Sequence, residues 1–258
     1  MHLINAIPAF KDNYIWCLEL AGMALVVDPG DPDVVQRYLD QHQLQLVAIL
    51  ITHHHWDHVD GLLQLQLQWP ETKLYLPEAE RHKIKHQSEH CQYLQDADWV
   101  DIPEMSLRFQ CISTPGHTLG HLCYFAHTSQ QHWLFCGDTL FSAGCGRLFE
   151  GTPTQMYQSL SRLNLLPADT QIFCTHEYTV SNLKFALAVE PHNQAIVEYL
   201  NFCQQMRAQG QITLPSTLKQ ERLINPFLRC DRPELQQQWQ QSDAANLFTF
   251  LREWKNQF

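Results

Sequence analysis

The sequence predicts an α/β layered domain followed by a smaller helical region. Two observations carry this. Through the first two thirds of the chain, short apolar runs of strand character alternate with helical spacings, and beyond Glu177 apolar residues recur only at helical intervals. The runs at 14–18, 24–27 and 46–51 are apolar and rich in β-branched or aromatic residues; the second closes on the turn Asp28-Pro29-Gly30. Between the second and third, 32–39 has helical spacing behind a proline, and 60–65 resumes a helix. Further strands are predicted at 73–76, 107–112, 121–126, 132–136 and 171–174, several ending beside a histidine or aspartate, where polar groups can converge on one rim of a sheet. In the tail, Ile196, Leu200, Cys203 and Met206 form one helical stripe and Leu247, Leu251, Trp254 and Phe258 another.

Composition narrows the classes of function. The chain has 258 residues, enough for a substantial core, and its 45% hydrophobic and 17% charged content argues against disorder. No uninterrupted apolar run approaches the roughly 20 residues of a membrane span. With 27 acidic and 17 basic residues the formal charge is -10, so neither nucleic acid nor an anionic membrane is an expected partner, although a local basic pocket remains compatible. The opening Met1-His2-Leu3-Ile4-Asn5-Ala6 lacks the features of a secretion signal, and a cytoplasmic monomer is expected. Nine cysteines, an odd number without a Cys-x-x-Cys pair, suit neither a disulfide framework nor a zinc finger; most read as small buried apolar residues.

Fifteen histidines are distributed unevenly. The run Thr52-His53-His54-His55-Trp56-Asp57-His58 follows a strongly apolar strand, which places it on a loop leaving a sheet. A single loop histidine is ordinarily a surface or hydrogen-bonding residue. His53-x-His55-x-Asp57-His58 instead offers more imidazole and carboxylate than one catalytic metal needs, and suggests two. Three later strand ends supply the same residue types: Thr114-Pro115-Gly116-His117, Cys136-Gly137-Asp138-Thr139 and Cys174-Thr175-His176. Each is weak alone, since such residues commonly cap turns, but together they point to a metal-dependent hydrolase.

That order of clustered His and Asp, a distant His, an Asp and a final His resembles the metallo-β-lactamase superfamily. Within it, Lys11-Asp12-Asn13-Tyr14, the segment from Cys145-Gly146-Arg147-Leu148-Phe149 to Thr152, and His176-Glu177-Tyr178-Thr179 through Asn182-Leu183-Lys184-Phe185-Ala186 are similar to the glyoxalase II (hydroxyacylglutathione hydrolase) family over essentially the whole chain. The resemblance implies a four-layer αββα sandwich over 1–170 as the catalytic domain and a mainly helical, substrate-binding domain over 171–258. It assigns His53, His55 and His117 to one divalent metal, Asp57, His58 and His176 to a second, and Asp138 as the bridge, with Asp57 and Asp138 as the catalytic carboxylates. Zinc is the expected metal, with iron or manganese as alternatives. His54 stays outside the ligand set, in a supporting role.

Two metals a few ångströms apart would share a water, lower its pKa from about 16 towards neutrality and present hydroxide to a carbonyl. A thioester suits this attack because a thiolate leaves readily. The implied substrate is S-(2-hydroxyacyl)glutathione, above all S-D-lactoylglutathione, cleaved to glutathione and D-lactate in the second step of methylglyoxal detoxification. Arg147, Phe149, Tyr178, Arg252 and Lys255 match the family's substrate positions, and Arg252 and Lys255 stand one turn apart on one helix face. Phe149 departs from the tyrosine often found there. The competing readings are a persulfide dioxygenase with a single iron, which lacks such a tail, and a zinc-stabilised binding module without catalysis, to which a carboxylate-containing, Cys-free ligand set is poorly suited.

Overall fold

Strand residues 13–20 show why two sheets form. Trp16 and Leu18 face one way, into a core shared with a second sheet, while Ile15 and Cys17 face the other way, against helices. The computed structural model describes residues 2–86, 88–128 and 131–258. Its first sheet runs in chain order through β1 (Leu3–Ala9), β2 (Asn13–Leu20), β3 (Met23–Val27), β4 (Gln45–Leu50), β5 (Lys73–Pro77) and β6 (Cys91–Leu94). The first three strands pair antiparallel and the rest parallel. The second sheet comprises β7 (Trp99–Ile102), β8 (Leu107–Ser113), β9 (Leu122–His127), β10 (His132–Gly137), β13 (Gln171–Cys174) and β14 (Ser216–Thr217); β11 (Leu140–Phe141) and β12 (Gly144–Cys145) form a separate small hairpin.

The sheets are tied through their interior. Tyr124 donates its hydroxyl to the Ile51 carbonyl at 2.6 Å, and Trp16 donates Nε1 to the Cys174 carbonyl at 2.9 Å. Helices α1 (Pro32–His42), α2 (Trp56–Val59) and α3 (Leu62–Gln68) follow β3 and β4, and Val35, Leu39, Leu62 and Leu65 bury against the first sheet's outer face. Asp31 caps α1 by accepting from the Asp33 and Val34 amides, with Pro32 in the first turn. Helix α4 (Pro153–Leu163) starts with a capping box between Thr152 and Gln155.

The tail consists of α5 (Thr179–Val189), α6 (Gln194–Ala208), α7 (Leu218–Ile224), α8 (Pro233–Gln238) and α9 (Ala244–Gln257). Leu247, Phe248 and Leu251 of α9 join Met156 and Leu160 of α4 in the main core. Fully buried Glu221 of α7 accepts from Ser142 Oγ at 2.9 Å and the Ala143 amide at 2.7 Å, anchoring the tail to the loop before β12. The boundary expected at 170/171 therefore needs correcting. Strand β13 hydrogen-bonds parallel to β10, so the sandwich continues to Cys174, and β14 returns from the tail to pair with it. Among the described residues, no helix is long and apolar enough to cross a membrane.

Candidate metal centre

All seven residues expected as ligands meet on one rim, where β4, β10 and β13 end and the β8–β9 loop folds over. The chain leaves β4 through Thr52, whose amide and hydroxyl both donate to Asp28 at 2.8 Å; Asp28 itself follows β3. The backbone that turns back towards Asp57 comes so close to Gly30 that a Cβ there would lie 2.0 Å from the Asp57 carbonyl oxygen, so only glycine fits. At the end of β10, Gly137 adopts a φ of +46° with Thr52 Oγ1 only 2.4 Å from the position of a Cβ, and this turn delivers Asp138.

The donor atoms fall into two sets. His53 Nε2 and His117 Nε2 each lie 3.0 Å from His55 Nδ1, and Asp138 Oδ2 lies 3.4 Å from His117 Nε2. Ligands at ~2.1 Å in a tetrahedron are separated by about 3.4 Å, so these spacings suit one ion. In the second set, His58 Nε2 lies 3.7 Å from both Asp57 Oδ2 and Asp138 Oδ1, and His176 Nε2 lies 3.6 Å and 3.4 Å from the same two oxygens. Asp138 thus turns one oxygen to each set. His58 Nε2 and Asp138 Oδ1 are buried with no hydrogen-bond partner, as expected of atoms reserved for a cation.

The outer nitrogens of three of the histidines are committed elsewhere, and that of His58 faces a carboxylate. His117 Nδ1 donates to the Arg147 carbonyl at 2.7 Å, His176 Nδ1 to Asp12 at 2.9 Å, and His58 Nδ1 lies 3.0 Å from Asp28 Oδ2. His53 Nδ1 lies 3.0 Å from Thr52 Oγ1. The partners of His53, His117 and His176 fix the tautomer that aims a lone pair inward, whereas the Asp28 contact of His58 Nδ1 is an ion-pair approach outside hydrogen-bond geometry. Burial keeps His53 well below the usual histidine range, lowers His117 and, with His117 beside it, brings His55 down to about 4. These three are neutral donors at pH 7. In the second set burial also opposes charge, but Asp138 and Asp12 raise His176 to about 9, while Asp28 and Asp138 raise His58. The carboxylates there call for a positive charge, which a divalent ion supplies.

Around this centre, Arg147 and Phe149 are exposed, with the Phe149 ring edge-on to His55 at 5.4 Å and to His117 at 5.2 Å. Tyr178 stacks on His176 at 4.8 Å with an interplanar angle of 1°, and burial together with Asp12 and Asp138 keeps its hydroxyl protonated. Lys255 is partly buried, with Nζ 4.9 Å from the Phe185 ring centre. Arg252 does not stand beside it as an open cation. It is 5% exposed, and Nη1 donates to the carbonyls of Cys145 at 3.0 Å and Gly146 at 3.3 Å. Arg252 thereby supports the loop that carries Arg147, while its Nε is buried with no hydrogen-bond partner.

Residues 13–176 match the metallo-β-lactamase superfamily, and residues 177–258 match the hydroxyacylglutathione hydrolase C-terminus. The hydroxyacylglutathione hydrolase of Photobacterium profundum is 46% identical over 263 residues, covering 100% of both chains, and that of Aeromonas hydrophila is 46% identical over 264 residues with the same coverage. The chain belongs to the hydroxyacylglutathione hydrolase family. Among solved structures, the B3 metallo-β-lactamase BLEG-1 superposes with a TM-score of 0.66 at 23% identity, covering 88% of this chain and 99% of that one. ETHE1 from Myxococcus xanthus gives 0.66 at 21% identity, covering 97% and 90%. At that level of identity the likeness concerns the fold.

Several supporting residues of this hydroxyacylglutathione hydrolase family member were not singled out from sequence. Asp12 and Asp28 hold His176 and His58, and Asn13 Nδ2 donates to Asp57 Oδ2 at 3.0 Å. The signal for Asp12 and Asn13 was their place in the motif Lys11-Asp12-Asn13-Tyr14; Asp28 sat at a predicted strand end. His54 turns away from the ligands to pair through Nδ1 with the carboxylate of Glu80, a fully buried residue that also accepts from Thr118 Oγ1 at 2.7 Å and the Gly120 amide at 2.9 Å. No spacing in the sequence announces Glu80.

Proposed function

We infer that this chain hydrolyses S-(2-hydroxyacyl)glutathione thioesters, S-D-lactoylglutathione first among them, to glutathione and the 2-hydroxy acid, the second step of methylglyoxal detoxification. The observation that carries this is the pairing of two donor sets sharing Asp138 with a tail that matches the hydroxyacylglutathione hydrolase C-terminus. Bound divalent ions would supply an acidified water and polarisation of the thioester carbonyl. His53, His55, His117 and Asp138 would hold one, and Asp57, His58, His176 and Asp138 the other. The imidazole and carboxylate donors suit zinc, with iron and manganese compatible.

The remaining chemistry belongs to the protein. Asn13 holds Asp57 so that this carboxylate can orient the attacking water. A thiolate, with a parent pKa near 8.5, leaves without a strong general acid, and none is required of the chain. Glutathione presents two carboxylates; Arg147 and Lys255 are the cations for them, and the protonated Tyr178 hydroxyl is a donor to the peptide part. All nine cysteines are unpaired, which supports a reducing, cytoplasmic setting. The sandwich would then carry the chemistry and the helical region after His176 the substrate contacts.

Two consequences concern the substrate side. Phe149→Tyr is expected to lower KM several-fold at unchanged kcat, since one added neutral hydrogen bond is worth about 1 kcal/mol; steady-state kinetics measure it. Burial, with Arg252 close by, lowers Lys255 to about 8. Its protonated form is therefore the one that folding disfavours below that pH, and deprotonation on raising the pH through 8 relieves that cost. Binding a substrate carboxylate needs the protonated form, so kcat/KM is expected to fall as pH rises through about 8, and to lose this limb in Lys255→Met. An unchanged pH profile in Lys255→Met would remove Lys255 from the substrate site.

The direct assay follows free thiol released from S-D-lactoylglutathione with and without chelator. Metal-replete protein should release thiol, and chelation should stop it. No release by metal-replete protein would refute the substrate, and release insensitive to chelator would refute the two-metal reading. The same protein given glutathione persulfide in a closed oxygen electrode should show no oxygen uptake, which separates hydrolysis from the single-iron dioxygenase reading.

A further inference from the structure

We propose that His121, which ligates neither metal set, is a positioning residue that fixes the bridging carboxylate of Asp138 and the ring of His53 relative to one another. The inference rests on the two-metal reading above and adds a residue that reading does not use. His121 is fully buried just before β9, four residues beyond His117. Its ring stacks on that of His53 at 5.0 Å between centres and 24° between planes. The Asp138 amide donates to His121 Nε2 at 3.2 Å.

The bonding pattern determines the tautomer. A backbone N–H can only donate, so Nε2 carries the lone pair and Nδ1 carries the proton. The proton on Nδ1 has two hydroxyl acceptors at hand, Thr114 Oγ1 at 3.0 Å and Thr139 Oγ1 at 3.2 Å, which lie 3.0 Å from each other. The lone pair that would make this imidazole a ligand is therefore spent on Asp138's own backbone. Packing closes the arrangement: a Cβ on Gly137 would stand 2.8 Å from His121 Nε2, so the turn that delivers Asp138 is pressed against this ring. His53 belongs to the first set and Asp138 to both, so a shift of this one ring moves donors of both sites together.

The two nitrogens can be separated by substitution. A glutamine amide reaches the position of Nε2 and can accept from the Asp138 amide, whereas an asparagine amide reaches only the position of Nδ1 and its threonine partners. Zinc affinity of His121→Gln and His121→Asn would be measured by competition with a chromophoric chelator, alongside melting temperatures with and without zinc. Outer partners of metal ligands typically contribute 10- to 100-fold in affinity. His121→Gln is expected to stay within about threefold of the unmodified protein and to keep its zinc-induced rise in melting temperature, while His121→Asn loses at least about tenfold and most of that rise. Equal affinity in the two variants, or failure of both to fold, would overturn the proposal. A residue that only fills the core would lower both melting temperatures in each variant alike and leave the zinc-induced difference intact, which also overturns it. Stoichiometry of the unmodified protein is read in the same titration, so failure of the two-metal reading is seen separately from failure of this one.

Discussion

Asp138→Asn is expected to lower kcat by about a thousandfold or more, roughly 4 kcal/mol in barrier, and to reduce bound metal from two ions per chain towards one. Oδ2 of Asp138 lies 3.4 Å from His117 Nε2 in the first donor set, and Oδ1 lies 3.7 Å and 3.4 Å from His58 and His176 in the second. Asparagine preserves shape but supplies one neutral oxygen and an NH2 group that cannot act as an anionic ligand. The negative charge that His176 and His58 favour also disappears. Burial opposes that charge, yet the two rings hold the Asp138 carboxyl well below the usual carboxylate range. Steady-state thiol release and elemental analysis on the same preparation measure both effects. A kcat within tenfold of the unmodified protein would mean that the bridge is not needed.

For Arg252→Met we expect KM to rise about tenfold or more, with a smaller change in kcat, and melting to fall by several degrees. The stem keeps its packing, but the carbonyls of Cys145 and Gly146 lose their donor, and an unsatisfied buried carbonyl costs about 1–3 kcal/mol. For a chain of this size, 1 kcal/mol corresponds to roughly 2–4 °C. The same loop bears Arg147 and Phe149, and its Arg147 carbonyl accepts from His117 Nδ1. Loosening it degrades substrate placement first. Kinetics combined with calorimetry distinguish the two roles: a higher KM at an unaltered melting temperature would point to the direct substrate contact expected from sequence rather than to support of the loop.

These residues also show what could be read before folding. The seven candidate ligands, which the fold gathers on one rim, were legible because metal coordination demands His and Asp in bulk, and their order along the chain follows the strand ends that present them. Central strands were legible for a similar reason. Residues such as Ile15 to Leu18 and Ile49 to Ile51 are buried on both faces of a sheet and stay apolar. Apart from the two-residue strands of the β11–β12 hairpin, the strands not predicted, β1, β6, β7 and β14, are those at sheet edges, where one side lacks a neighbour and Asn5, Pro8 and Gln92 are tolerated. The supporting shell was hidden for a different reason. Asp28, Glu80 and His121 act through partners 24 or more, 26 and 17 residues away, and no local spacing encodes such pairings. The second role of Arg252 was hidden likewise, because an Arg-x-x-Lys pair on one helix face shows nothing of the Cys145 loop laid over one of the two cations.

Metal-stripped protein titrated with zinc, while thiol release from S-D-lactoylglutathione is followed, tests the two-ion thioesterase most directly. Activity is expected to rise until two equivalents per chain have been added and then to level off, because Asp138 serves both donor sets. Full activity at one equivalent, or in the metal-free chain, would contradict it.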